Sequence, residues 1–208
     1  MTAEGLSLRP VGVLLAGGRA SRMDGIDKCL LPFGATPLLA NAIERLGPQV
    51  SALIINANGD ASRFAGFGLP VVADPVPGFV GPLAGILAGM RWAMKTVPEA
   101  TQIASVATDT PFFPVDLVQR LTAALPSPDQ AAIARTGGRV HGVFGVFPVA
   151  CADTLDHRIR TGRSLRVRDW LDDIGYVPVD FDDSATGRRD PFFNINTPED
   201  LEAARALL

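Results

Sequence analysis

The chain has 208 residues, of which 47% are hydrophobic and 20% charged, with a formal net charge of -3 at pH 7. This length and composition fit one globular domain with a full core, and the slight acidity argues against a nucleic-acid-binding surface. No apolar stretch is long enough to span a bilayer, and the first ten residues lack the features of a signal peptide. We therefore expect no contact with a membrane. The two cysteines have no Cys-x-x-Cys spacing, so we expect free thiols in a cytoplasmic protein.

In the first half, short apolar runs alternate with stretches of helical spacing, which is the pattern of a doubly wound, mostly parallel α/β sheet. The predicted strands are Val11–Ala16, Ala52–Asn56, Leu69–Ala73 and Ile103–Ala107. The predicted helices are Pro37–Leu46, a helix from Gly81 to about Lys95, and a helix that begins at Pro114.

The second half changes character. Two apolar runs, Ala131–Arg135 and Val140–Phe147, flank Thr136-Gly137-Gly138-Arg139, which predicts a β-hairpin added to the sheet. The remaining predicted elements are one or two short helices within 154–170, a strand at Tyr176–Phe181, a polar loop over 182–190 and a helix from Pro198. Thr197 is a good N-cap for that last helix, with Asp200 where a capping box carries Glu or Gln. We find no repeat or linker, and therefore predict a single domain.

The segment from Leu14 to Lys28 reads Leu-Leu-Ala-Gly-Gly-Arg-Ala-Ser-Arg-Met-Asp-Gly-Ile-Asp-Lys. Glycines after a buried strand expose backbone N–H groups, and successive N–H groups form an anion-binding concavity. Arg22 and Lys28 add positive charge where a triphosphate would lie. The spacing fits neither the Walker loop nor the dinucleotide fingerprint. A phosphate site of another kind is the interpretation we favour over an ordinary turn with surface cations.

Other polar residues follow predicted strands, namely Asn56, Asp74 and Asp109. Ligands of open α/β sheets bind beyond the carboxyl ends of the strands, so we expect these residues and the glycine loop to converge on one cleft. Asp109 suits Mg²⁺, which takes one or two carboxylates together with substrate phosphates. The alternative for Asp109 is a cap of the helix near Pro114. Taken alone, Asn56 is more typical of a residue that bonds its own backbone, and Asp74 of a turn before proline.

The Leu14–Lys28 segment resembles the loop of the molybdenum cofactor guanylyltransferase family, which reads roughly Leu-Ala-Gly-Gly-x-Ser-x-Arg-Met-Gly-x-x-Lys. Asp24 departs from that pattern, because the family usually has glycine there. Three further motifs resemble those of the family and extend the likeness from Gly12 to about Leu207: Gly81-Pro82-Leu83-Ala84-Gly85, Asp109-Thr110-Pro111 and Asn194-Ile195-Asn196-Thr197-Pro198. The resemblance implies a Rossmann-like nucleotidyltransferase fold. It also implies transfer of GMP from GTP to molybdenum-bearing molybdopterin, with release of pyrophosphate.

The resemblance further implies residue roles. Catalysis would use Arg22, Lys28 and Asp109, with Asp109 as the Mg²⁺ ligand. GTP would contact Leu15, Ala16, Gly17, Lys28, Asn56, Asp74 and Asp109, and the pterin would contact Asn194 and Asn196. A carboxylate such as Asp74 can accept from the N1–H and the exocyclic amine of guanine, a paired donor edge that adenine lacks. If 193–197 is a strand, Asn194 and Asn196 share one face of it.

On this interpretation residues of about 11–125 form a nucleotide half and about 126–208 a pterin-side half. Molybdenum-insertion proteins and molybdoenzyme chaperones are the protein partners that the resemblance implies. Two alternatives stay open: a cytidylyltransferase for the same cofactor or a sugar-nucleotide pyrophosphorylase, and a non-catalytic nucleotide-binding cofactor carrier. The arginines between 158 and 168 are typical of a solvated face, or of a surface for a phosphorylated pterin or acidic partner.

Overall fold

The computed structural model describes residues 9–17, 22–23, 26–76, 81–181 and 190–208, and a seven-stranded sheet lies at its centre. In chain order its strands are Val11–Leu15 (β1), Ala52–Asn56 (β2), Val71–Val72 (β3), Gln102–Ala107 (β4), Ala131–Thr136 (β5), Arg139–Pro148 (β6) and Tyr176–Asp180 (β7). Across the sheet the order is β7-β5-β6-β4-β1-β2-β3. The predicted α/β sheet is confirmed.

Only one strand of this sheet runs against the others. Strand β6 pairs antiparallel with both β4 and β5, whereas the other neighbouring pairs are parallel. The predicted hairpin is therefore β5 and β6, joined by Gly137 and Gly138, which both have the positive φ that a tight two-residue turn requires. The hairpin lies inside the sheet, because β6 is inserted between β4 and β5, and β7 extends the sheet beyond β5.

Six α-helices accompany the sheet: Leu38–Leu46 (α1), Pro82–Thr96 (α2), Leu117–Ala123 (α3), Ala152–Arg160 (α4), Val167–Ile174 (α5) and Pro198–Arg205 (α6), counted over the ranges described. The prediction that a helix begins at Pro114 is wrong by three residues. Pro114 opens a turn instead, closed by a hydrogen bond of 3.2 Å from Leu117 N to Pro114 O, and α3 begins only there. None of the helices in these ranges is long and apolar enough to cross a membrane.

The helices cover both faces of the sheet, as alternation along the strands requires. Leu14 of β1 packs in the cluster that also contains Leu39 and Leu46 of α1 and the buried leucines of α3. Its neighbours Val11 and Val13 point the other way, into the cluster formed with α2, α4 and α5. Two-sided burial explains why the strands are continuous apolar runs and not alternating ones.

A third, smaller apolar cluster joins the end of the chain to the segment that follows the glycine loop. It contains Phe33, Leu38, Ile195, Leu201 and Ala204, all buried. Helix α6 begins with the predicted cap: Thr197 Oγ1 accepts from Asp200 N at 3.1 Å, and Asp200 Oδ2 accepts from Thr197 N at 2.9 Å. Asp200 therefore completes a capping box in place of the usual Glu. The cap and the cluster together fix residues 194–196 against the strand ends.

Candidate active site

The carboxyl ends of β1, β2 and β4 lie side by side. Leu15 is in register with Asn56 of β2 and with Ala107 of β4. Beyond the ladder, Ala16 N donates to Asn56 O at 2.9 Å, and Thr108 Oγ1 donates to Leu15 O at 3.2 Å. The strand ends named in the sequence thus meet at one edge of the sheet, with Leu15, Ala16 and Gly17 at its centre.

Part of the glycine loop falls outside the described residues, namely 18–21 and 24–25, so the conformation expected there, including the effect of Asp24, stays a prediction. Arg22 is described only through its backbone, which pairs with Asp27 in a short antiparallel ladder. A role of the Arg22 side chain in catalysis is therefore still a prediction as well.

Lys28 directly follows this ladder and is buried, with 7% of its surface exposed. Its Nζ donates to Ile195 O at 3.3 Å and to Asn196 Oδ1 at 3.4 Å, which lie 167 and 168 residues further along the chain. The two hydrogen-bond acceptors that the described residues give this ammonium are both neutral, and its charge also interacts with the Asp109 carboxylate. Because charges in such places are normally paired, the buried ammonium is suited to an anionic ligand. The adjacent Cys29 is buried, which raises the pKa of its thiol to about 12 and leaves it protonated at neutral pH.

Asp109 follows β4 and lies next to Asn194. With the Asn194 amide oriented so that its nitrogen faces the carboxylate, that nitrogen donates to Asp109 Oδ1 at 2.6 Å and to Oδ2 at 3.1 Å. The backbones also meet, since Ile195 N donates to Asp109 O at 2.9 Å. Burial raises the pKa of Asp109, and the positive charge of Lys28 opposes that rise. An ionised carboxylate that burial penalises gains from a bound cation.

The alternative that Asp109 caps a helix is wrong, because α3 begins at Leu117 with Asp116 as its N-cap. No cluster of three or more metal-ligating side chains occurs among the described residues. A cation at Asp109 would therefore take most of its ligands from substrate phosphates and water, which is the usual arrangement for Mg²⁺. The residues present fit that kind of metal.

Asn194 and Asn196 are both exposed, whereas Ile195 between them is buried in the third cluster. The expectation of a strand here is wrong, because residues 193–196 belong to no strand. Their alternation survives because Ile195 anchors the segment to the core. The structure brings Asn194 to Asp109 and Asn196 to Lys28, so the two asparagines lie against the groups predicted to handle phosphate.

Asn56 and Asp74 also lie together. Asn56 is 5% exposed, and its Nδ2 donates to Asp74 Oδ1 at 2.9 Å and to Val72 O at 3.1 Å. It therefore holds the neighbouring strand end, and not its own backbone. Asn58 was missed by the sequence reasoning, although its Nδ2 donates to Asp74 Oδ2 at 2.7 Å. The signal that could have found it is the Asn-Ala-Asn spacing, since alternate residues after a strand share a face.

The glycine-rich motif that opens α2 has a steric role at this point. A Cβ on Gly85 would lie 2.3 Å from Asn56 Oδ1 and 2.6 Å from Leu15 Cδ2. Real side chains do not approach so closely, so glycine here lets α2 pack directly against the Asn56 amide. The preceding Gly81 has a φ of 77° at the N-cap, a conformation that favours glycine.

His141 and the arginines between 158 and 168 lie outside this network of hydrogen bonds. His141 is buried, stacks on Phe192 with ring centroids 4.4 Å apart, and has its pKa lowered by burial. Arg158 is buried and pairs with Asp173. Ion pairs with aspartates also involve Arg160, Arg163 and Arg168. Much of the run's positive charge is thus neutralised within the protein.

Comparison with known proteins gives consistent results. A family model, the MobA-like NTP transferase domain, matches residues 12–174. A molybdenum cofactor guanylyltransferase of Mesorhizobium japonicum is 46% identical over 198 residues, which cover 95% of each chain. In fold, the chain is similar to molybdopterin-guanine dinucleotide biosynthesis protein A of Archaeoglobus fulgidus, with a TM-score of 0.73, 21% identity, and 95% and 97% of the two chains covered. It is also similar to a manganese complex of Rv0371C from Mycobacterium tuberculosis, with a TM-score of 0.68, 21% identity, and 96% and 99% covered.

Proposed function

The chain belongs to the molybdenum cofactor guanylyltransferase family of nucleotidyltransferases, and we propose that it transfers GMP from GTP to molybdopterin carrying molybdenum. The products are the guanine dinucleotide form of the cofactor and pyrophosphate. The observation that carries this proposal is the convergence of Lys28, Asp109, Asn194 and Asn196 through direct hydrogen bonds at one edge of the sheet.

In the proposed reaction the terminal phosphate oxygen of molybdopterin attacks the α-phosphorus of GTP in line. The bond from that phosphorus to the oxygen bridging to the β-phosphorus breaks, and pyrophosphate leaves with its electron pair. Such chemistry needs positioning and charge stabilisation and no covalent protein nucleophile, which agrees with the protonated state of Cys29. Lys28, which is buried, stabilises the negative charge that develops on the phosphates.

Asp109 is the residue we propose as the Mg²⁺ ligand, with the Asn194 amide holding its carboxylate in place. When bound there, Mg²⁺ would neutralise charge on the triphosphate. The Arg22 side chain is proposed to add to this neutralisation. Backbone groups of Leu15, Ala16 and Gly17 are proposed to contact GTP, while Asn56 and Asp74 meet the guanine edge.

We also propose that the chain works as a single domain in which both halves build the site. Asn194 and Asn196, from the half assigned to the pterin, contact Asp109 and Lys28 from the nucleotide half. Two free cysteines support a cytoplasmic location. Molybdenum-insertion proteins and molybdoenzyme chaperones are the partners proposed for delivery of the substrate and receipt of the product.

The experiment that tests this function compares nucleotides. With Mg²⁺ present, GTP should raise the melting temperature more than ATP, CTP or UTP. A ligand at a hundredfold its dissociation constant adds about 2.7 kcal/mol, which for a protein of this size corresponds to roughly 5–10 °C. Pyrophosphate should be released only when molybdopterin is also added.

Each alternative result has a clear meaning. Equal stabilisation by CTP would contradict the assignment of guanine. Nucleotide binding without any pyrophosphate release would contradict catalysis and favour a carrier. An additional assay at zero molybdopterin controls for simple hydrolysis of the nucleotide.

A further inference from the structure

The carboxylate of Asp74 is held by two asparagines, and one of them makes a double contact. Asn58 Nδ2 donates to Asp74 Oδ2 at 2.7 Å, while Asn58 Oδ1 accepts from Asp74 N at 2.9 Å. The Asn56 amide donates to the other carboxylate oxygen, Oδ1, at 2.9 Å. Both oxygens of one side chain are thus fixed by amide donors, and its backbone is fixed as well.

Asn58 is itself held in place from the other side. Arg63 Nη2 donates to Asn58 O at 2.7 Å, and Arg63 Nε lies 2.7 Å from Asp27 Oδ2. The guanidinium also lies over the Phe64 ring, 4.7 Å from its centroid. Since Asp27 directly precedes Lys28, the arrangement connects Asp74 through Asn58 and Arg63 to the segment that carries the buried lysine.

An aspartate side chain without such contacts rotates freely about two bonds. A carboxylate has about four acceptor positions, and the two amides use one position on each oxygen. Among the described residues, one acceptor position therefore remains on each oxygen. Guanine presents two parallel, coplanar donors, N1–H and the 2-amino group, and the two oxygens of a carboxylate can accept one each.

We propose that Asn58 is a positioning residue for base selection: it orients Asp74 so that both carboxylate oxygens receive the guanine edge together. The inference rests on the proposed use of GTP and extends it to a residue that need not touch the nucleotide. Its signature is discrimination between GTP and inosine triphosphate, which keeps N1–H and lacks the 2-amino group. A site built to bond both donors rejects the analogue that lacks one of them.

The test measures kcat/KM for GTP and for inosine triphosphate in the wild type and in three variants of the full chain: Asn58→Ala, Asn58→Asp and Ser62→Ala. The wild-type protein should prefer GTP by about ten- to a hundredfold, the range expected for a hydrogen bond to a charged group. In Asn58→Ala this preference should fall by about tenfold, with kcat at saturating GTP nearly unchanged. Asn58→Asp keeps the acceptor for Asp74 N and replaces the donor by a second carboxylate, so it should also lose the preference.

Ser62→Ala is the matched control, because Ser62 belongs to the same chain segment but bonds Asp60 and not Asp74. Its preference for GTP should equal that of the wild type. Melting temperatures accompany all four proteins. A merely structural role for Asn58 predicts equal losses with both nucleotides and a lower melting temperature, and that result would overturn the inference.

The outcomes also separate this inference from the function on which it rests. Failure of the wild type to use GTP at all would remove the proposed function and the inference with it. Use of GTP with no preference over inosine triphosphate overturns the inference alone, as does a wild-type preference retained in both Asn58 variants.

Discussion

Asp109 is a buried carboxyl group whose ionisation is costly in the protein without a ligand. Its pKa is raised by burial, so its ionisation is less favourable in the folded chain than in the unfolded one. The stability that its protonated form contributes is present below the ordinary pKa of aspartate and is lost as pH rises through the raised value. At neutral pH the buried charge is therefore a destabilising feature that a cation would relieve.

We expect Asp109→Asn to lower the rate of transfer by about a hundredfold or more, because it removes the proposed metal ligand with little change of shape. At pH 7 and without ligand, its melting temperature should equal or exceed that of the wild type. This advantage should shrink as pH falls into the range where the wild-type carboxyl becomes protonated. Pyrophosphate release and thermal melts at several pH values measure both effects. A variant with full activity in Mg²⁺ would show that Asp109 holds no catalytic metal.

Among the elements, helix α2 packs closely against the site at Gly85, which has no side chain. An alanine in a helix interior is normally better than glycine by roughly 1 kcal/mol. At Gly85 that gain is opposed because the added Cβ would lie 2.3 Å from Asn56 Oδ1 and 2.6 Å from Leu15 Cδ2. Asn56 ends a strand, and Leu15 lies at the start of the glycine loop. The helix therefore couples its own packing to the position of the Asn56 amide.

We predict that Gly85→Ala destabilises the protein by about 1–3 kcal/mol, the usual range for overpacking, and weakens GTP binding by displacing Asn56 from Asp74. Gly66→Ala is the control, because no atom lies within 4 Å of a Cβ at Gly66 and its φ is not positive. Chemical denaturation and calorimetry with GTP give the two quantities. Unchanged GTP affinity in a destabilised Gly85→Ala protein would show that Asn56 does not govern nucleotide binding.

At the scale of the whole molecule, the end of the chain completes a site begun near its start. Lys28 and Asn196 are 168 residues apart and bond directly. The third apolar cluster and the capping box of α6 make this contact possible by fixing residues 194–196. The halves predicted for the nucleotide and for the pterin are therefore not independent at the point where the two substrates would meet.

We expect replacement of both Asn194 and Asn196 by alanine to weaken molybdopterin binding by about tenfold or more, at roughly 0.5–1.5 kcal/mol for each lost hydrogen bond. Because these amides contact Asp109 and Lys28, kcat should fall as well, while GTP affinity changes less. Calorimetry with each substrate and steady-state rates separate the effects, and Glu199→Ala, an exposed neighbour outside the capping contacts, is the control. Weaker GTP binding with normal molybdopterin binding would contradict this assignment.

Features that depend on local patterns were predictable from the amino-acid sequence. Apolar runs and helical spacing located the strands and helices to within a few residues, and Thr197 marked the beginning of α6. The rule that ligands bind beyond the carboxyl ends of strands predicted Asn56 and Asp109 at one edge of the sheet. These predictions succeeded because periodicity and capping are properties of neighbouring residues.

The contacts between distant residues could not be predicted in this way. Packing, and not sequence spacing, brings these residues together. The examples are the insertion of β6 between β4 and β5, the hydrogen bond between Lys28 and Asn196, and the hydrogen bond from Asn58 to Asp74. The strand expected around Ile195 shows the limit: the alternation of exposed and buried residues was correct, yet this segment is not a strand in the described part of the chain. Hydrogen bonds between residues far apart in sequence form because packing of the core brings the two ends of the intervening chain together. A local sequence pattern does not show which distant residues will meet.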